Sequence, residues 1–117
     1  MTRHDPLLAL QHMLDHSREA VQMVEGRRRE DLDADRQLNL ALMRLLEIVG
    51  EAASRIPAQQ RRHWPGVPWR DVVDLRNRLI HAYDDVNFDI LWAILRQDLP
   101  PLIEALEKAL APEANEG

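Results

Sequence analysis

Residues 38–57 read Leu-Asn-Leu-Ala-Leu-Met-Arg-Leu-Leu-Glu-Ile-Val-Gly-Glu-Ala-Ala-Ser-Arg-Ile-Pro. Leu38, Leu42, Leu45, Val49, Ala52 and Ile56 recur at alternating steps of four and three, the period of one helix face. Leu40, Met43, Leu46 and Ile48 extend the apolar surface beyond that face. A helix that is apolar on more than one side needs more than one neighbour, so this one is expected at the centre of the fold or at a subunit contact. Pro57 ends it, since proline cannot donate to the helical ladder.

The same periodicity continues on both sides. Upstream, Leu7, Leu10, Leu14, Ser17, Val21 and Val24 form a second amphipathic stripe, with Asp5 as its cap, Pro6 in the first turn and Gly26 near its close. Arg27-Arg28-Arg29-Glu30-Asp31 has mixed charge and no apolar anchor, and reads as a loop. Downstream, residues 57–68, Pro-Ala-Gln-Gln-Arg-Arg-His-Trp-Pro-Gly-Val-Pro, hold three prolines and a glycine and mark a connector. Trp64 and Trp69 are placed to pin it to the core. A third helix is expected over about 69–83. A fourth starts near Asn87, with Phe88, Leu91, Trp92 and Leu95 facing inward. Pro100 and Pro101 predict a kink or break, followed by further turns through Leu102, Leu106 and Leu110. Residues 110–117 read as a frayed tail.

The pattern predicts an all-α, up-and-down bundle of four main helices, with residues 1–117 forming a single domain. Composition agrees: 45% of residues are hydrophobic but only 4% aromatic, a poor supply for a sandwich or barrel. There is no cysteine, which excludes disulfides, thiolate nucleophiles and cysteine-based metal sites. No window approaches a membrane span, and the first residues lack the apolar run of a signal peptide, so a soluble cytoplasmic protein without membrane contact is expected. Fifteen Lys and Arg against twenty Asp and Glu give a net charge of −5, which disfavours broad coating of nucleic acid but permits a local phosphate site.

One stretch breaks the binary pattern: Asp71-Val-Val-Asp-Leu-Arg-Asn-Arg-Leu-Ile-His-Ala-Tyr-Asp84. On an unbroken helix Val72, Leu75, Leu79, Ile80 and Ala82 form an apolar arc, and Arg76 and Tyr83 fall inside it. Asn77, His81 and Asp74 take the polar side. An arginine within an apolar face needs an anionic partner, and Glu47 and Glu51, one turn apart on the second helix, either supply it or face the cleft, with the pairing ranked first. Such a breach is expected where function overrides patterning.

Arg76-Asn77-x-x-x-His81 resembles the R-x4-H signature of the HEPN superfamily, and the continuation His81-Ala82-Tyr83 resembles its HepT-like branch. The likeness extends over about 100 residues, through Leu46–Ala53 and Trp92–Pro100. It implies a homodimer in which two motifs face each other, acting as a metal-independent endoribonuclease and as the toxin of a toxin–antitoxin pair. Arg76, Asn77 and His81 are then catalytic, with Glu47, Glu51, Asp74 and Arg78 in support. The residue types suit the reaction: His81 can move protons near neutral pH, Arg76 can grip phosphate oxygens with its planar fork, and Asn77 can orient the imidazole or donate to phosphate. The resemblance also implies a nucleotidyltransferase (MNT-type) antitoxin that uses ATP to AMPylate Tyr83, the chain's single tyrosine, while this chain holds no cofactor of its own. The alternative is a catalytically silent module that docks the nucleotidyltransferase as its substrate or scaffold.

On an ideal helix Arg76 and His81 lie about 140° apart, so they do not share a face. A two-fold partner, a wrapped arginine or a distorted helix would reconcile them. Two other clusters have simpler explanations. His12 and His16 have chelating spacing but read as a solvated face, open only to incidental metal, so no metal site is expected. The basic residues at 27–29 and at 61–63 could guide RNA, with Trp64 beside Arg61 and Arg62 as a stacking surface, although a loop anchor is the plainer role for Trp64.

Overall fold

The computed structural model describes residues 5–80 and 86–111. The first helix, α1, covers Pro6–Met23; Asp5 caps it by accepting from the Leu7 amide at 2.9 Å, and Pro6 occupies its first turn. Gly26 adopts φ +74°, a conformation that suits glycine, just after the helix ends. Residues 27–30 are non-helical, as expected of a loop, and one helical turn, α2, follows over Asp31–Ala34, whose Leu32 is fully buried. The stripe on which the fold turns is α3, Arg36–Ser54, with Asp35 as its cap. Leu38, Leu42, Leu45, Val49, Ala52 and Ile56 are all buried, as is Leu46 on the widened side, whereas Leu40 stays half exposed.

The connector forms a short turn, α4, over Ala58–Arg61. Trp69 donates its indole N–H to the Trp64 carbonyl at 3.1 Å, and both rings pack against the core, as their positions predict. Arg61 is used structurally: its Nε donates to the Ile56 carbonyl at 2.8 Å, and its guanidinium lies 5.7 Å from the Trp69 ring centroid.

The third helix departs from expectation. Instead of one helix to Tyr83 there are two short ones, α5 over Trp69–Val73 and α6 over Leu75–Leu79, separated at Asp74 with φ −92° and ψ 9°. Helical conformation ends at Leu79. Ile80 is extended and pairs in antiparallel fashion with Val86, while the Asn87 amide donates to the Leu79 carbonyl at 3.1 Å. The two valines before the break and the aspartate at it are all mediocre helix formers, so little propensity opposes it.

Asn87 caps α7, Phe88–Ala93, by accepting from the amides of Asp89 and Ile90. A π-helical turn, Ile94–Asp98, follows and passes directly into α8, Leu99–Leu110. The Leu99 amide reaches back five residues to the Ile94 carbonyl. The prolines therefore act one turn earlier than their own positions: the wider turn accommodates two residues without an amide proton, and the helix continues through them. Arg96 stacks over Trp92 on this segment, 5.5 Å from its centroid.

α1 packs against both α3 and α8, and α5 and α6 close over α3. Among the described residues the chain is all-α, with no strand and no helix long and apolar enough to cross a membrane. Gly50 sets the approach of α5 to α3: a Cβ placed there would meet the Val72 carbonyl oxygen at 3.2 Å. Arg29 ties the first loop to α7, donating to Asp89 and to Asp33, each at 2.7 Å. Those two hydrogen bonds, Asp89 first, raise the Arg29 pKa above its ordinary value and keep it charged.

Candidate functional site

Arg76 sits in the middle of α6, and its side chain is 66% exposed. An unbroken helix would hold it within about 60° of Val72 and Leu79 and so bury it. The break at Asp74 changes that register. Val72, Leu75 and Leu79 are buried as expected, while the arginine emerges at the surface. The expectation of a buried guanidinium is thus corrected, with the broken helix as the reason.

Of the two acids expected to pair with it, Glu47 does so. Arg76 Nε lies 3.8 Å from Glu47 Oε2, a loose pair whose Glu47 is 30% exposed. Glu47 is shared: its other oxygen accepts from Arg44 Nη1 at 3.1 Å, and Arg44 also lies 3.9 Å from Glu51. Two guanidiniums thus compete for one carboxylate, and neither is buried. Exposed pairs of this kind contribute little to stability, so Arg76 remains available to another anion.

Asn77 donates to Asp74 Oδ1 at 2.8 Å, which brings two of the predicted residues together at the break itself. Arg78 goes elsewhere. It donates to Asp98 Oδ2 at 2.6 Å and borders a separate, mainly apolar cavity with Leu75, Leu99 and Leu102. Its role is to join α6 to the π-helical turn. His81 and Tyr83 lie outside the described residues. The described residues on either side of them, Ile80 and Val86, border the same groove as Arg76. Because α6 stops at Leu79, the ideal-helix angle between positions 76 and 81 no longer applies.

That groove has a volume of about 570 Å³. Arg36, Arg44, Glu47 and Arg76 supply its charge, and Leu40, Met43 and Phe88 part of its apolar lining. Arg36 and Arg44 carry no motif and escape notice in the sequence, although Arg36, Leu40, Arg44 and Glu47 follow a 4-4-3 spacing on one face of α3. A smaller recess, between Gly50, Glu51, Ser54 and Val73, adjoins Arg76 on its other side. Arg76 therefore borders both hollows.

The histidine pair on α1 behaves as a surface feature. His16 Nδ1 lies 2.7 Å from the His12 carbonyl oxygen, and among the described residues no group of three or more potential ligands could hold a metal ion.

Comparison with known proteins gives a consistent answer. A family model described as "Ribonuclease HepT-like" matches residues 13–109, from within α1 almost to the end of α8. The chain is 37% identical over 99 residues to a protein of Thermococcus cleftensis named "Probable ribonuclease HepT", covering 81% of this chain and 90% of that protein. It is 34% identical over 104 residues to a protein of Caldanaerobacter subterraneus named "Putative RNase", covering 89% and 93% respectively. A similarly named protein of Methanocaldococcus jannaschii is 30% identical over 107 residues, covering 92% of this chain and 98% of its own length. No solved structure matches the chain significantly.

Proposed function

Because this chain belongs to the HepT-like ribonuclease family, we propose that it is the ribonuclease toxin of a toxin–antitoxin pair, cleaving RNA without metal at a site shared by two protomers. The observation that carries the reading is Arg76: a guanidinium at the surface, beside a groove, held among the described residues by a shared carboxylate at 3.8 Å. Cleavage requires a base to take the 2′-hydroxyl proton, an acid to protonate the departing 5′-oxygen, and a cation to balance the charge gained at phosphorus. His81 serves proton transfer, and Arg76 grips the phosphate oxygens. Asn77 donates to phosphate or holds the imidazole, exchanging its bond to Asp74 for that task. A homodimer brings two copies of each group to one cleft, as an isologous contact must.

Regulation follows from the same chemistry. A nucleotidyltransferase antitoxin transfers AMP from ATP to the Tyr83 hydroxyl, whose oxygen bonds the α-phosphorus as pyrophosphate leaves and its proton is released, and the added anion competes for Arg76 and repels the RNA backbone. The test is RNA cleavage in EDTA by the wild type, Arg76→Ala and His81→Ala. The wild type cuts, and each variant loses at least about a hundredfold in rate, the scale of a lost acid–base or charge-stabilising group. Activity that survives both substitutions rejects the assignment. An inert wild type that still binds the nucleotidyltransferase establishes the silent-module alternative.

A further inference from the structure

We propose that Arg36 and Arg44 form a backbone track for single-stranded RNA, leading along α3 to Arg76 and setting substrate affinity rather than the rate of cleavage. The inference rests on the ribonuclease reading and extends it to residues outside the motif. Among the described residues three guanidiniums line the groove against one carboxylate, Glu47, so cations outnumber anions there on a chain whose net charge is −5. A local reversal of sign of this kind attracts a polyanion that the whole molecule would otherwise repel.

Neither arginine is buried or ties α3 to another helix among the described residues. Arg36 is the first residue of α3, where the helix dipole already concentrates positive partial charge and disfavours a cation. The neighbouring capping residue Asp35 pairs with Arg27 at 3.5 Å, and Arg36 makes no ion pair among the described residues. Arg44 is exposed and bound only to its helix neighbours Glu47 and Glu51. Arg36 to Glu47 spans eleven residues of helix, about 16 Å, room for several phosphates at the roughly 3.4 Å rise of a stacked strand. Between the cations, half-exposed Leu40 and the partly buried ring of Phe88 offer apolar surface to bases without reading their identity. The track therefore fits an unpaired strand of loose sequence preference.

The experiment measures binding of a fluorescent single-stranded oligoribonucleotide across a salt series, with cleavage by the same proteins followed in parallel. Removing one cation that neutralises a phosphate of a single strand reduces the slope of log K against log salt by about 0.7. Arg36→Ala and Arg44→Ala should each lower the slope by about that amount, and the double variant by about 1.4. In Arg36→Ala, KM rises while kcat stays at the wild-type value. Arg36→Lys and Arg44→Lys should restore the slope, because a track needs charge and not the guanidinium fork. Arg18→Ala, which removes an exposed arginine paired with Glu107 outside the groove, should change nothing. A wild type that cleaves RNA while the slope is indifferent to Arg36 and Arg44 overturns the track alone. A slope that falls by these amounts in a protein that does not cleave supports the track and rejects the catalytic reading. A wild type that neither binds nor cleaves RNA rejects both.

Discussion

Tyr83 is the chain's single tyrosine, and the proposed off-switch depends on its one hydroxyl. After co-expression with its nucleotidyltransferase, intact-mass and peptide analysis should find added AMP on Tyr83 and nowhere else, and the modified protein should lose RNA cleavage. AMP on any other residue, or full cleavage by the modified protein, would reject the switch. At this scale the motif is legible because it violates a pattern: an arginine and a tyrosine at positions where a helix would want leucine. What cannot be read is the exposure of Arg76, which follows from a backbone break at Asp74 that no motif signals. Arg36 and Arg44 are equally hidden, since a cation on a solvated face is ordinary and gains meaning only when the groove it lines is known.

The helices are largely written in their periodicity. The cap Asp5, the start of α7 at Asn87, the close at Gly26 and the buried stripe of α3 all follow from spacing and local chemistry. The third helix misleads because its period stays helical across Asp74 and Ile80, whereas packing against α3 and the pairing of Ile80 with Val86 decide where it stops. Gly50 is the hinge of that packing. Gly50→Val should cost about 2 kcal/mol or more: overpacking against the Val72 carbonyl exceeds the modest helix propensity gained by replacing glycine. Chemical denaturation would measure it as a lower midpoint at unchanged m-value. Because α5 leads directly into α6, the same substitution should also weaken cleavage under conditions where the protein remains folded. A variant as stable as the wild type would show that α5 can move aside freely.

For the whole molecule, the proposed site is incomplete in one copy, and that has a direct consequence. By light scattering the 13.6 kDa chain should run at twice its mass. If Arg76 of one protomer works with His81 of the other, mixing and re-annealing the inactive Arg76→Ala and His81→Ala proteins should recover up to about a quarter of wild-type cleavage. Half of the dimers are then mixed, and one of their two sites is intact. No recovery, with exchange of subunits verified, would place both groups within a single chain.

The carboxylate of Glu47 has two arginine partners, and this changes what happens when a phosphate arrives. If Arg76 had been its sole companion, turning that guanidinium to a ligand would leave an anion stranded beside the newcomer and opposing its entry. With Arg44 already bonded to the other oxygen, Glu47 gives up its looser partner and stays neutralised by the closer one. In the proposed reaction Arg76 is thus aimed by a tether that is easy to release, and its handover from Glu47 to a visiting phosphate needs little rearrangement.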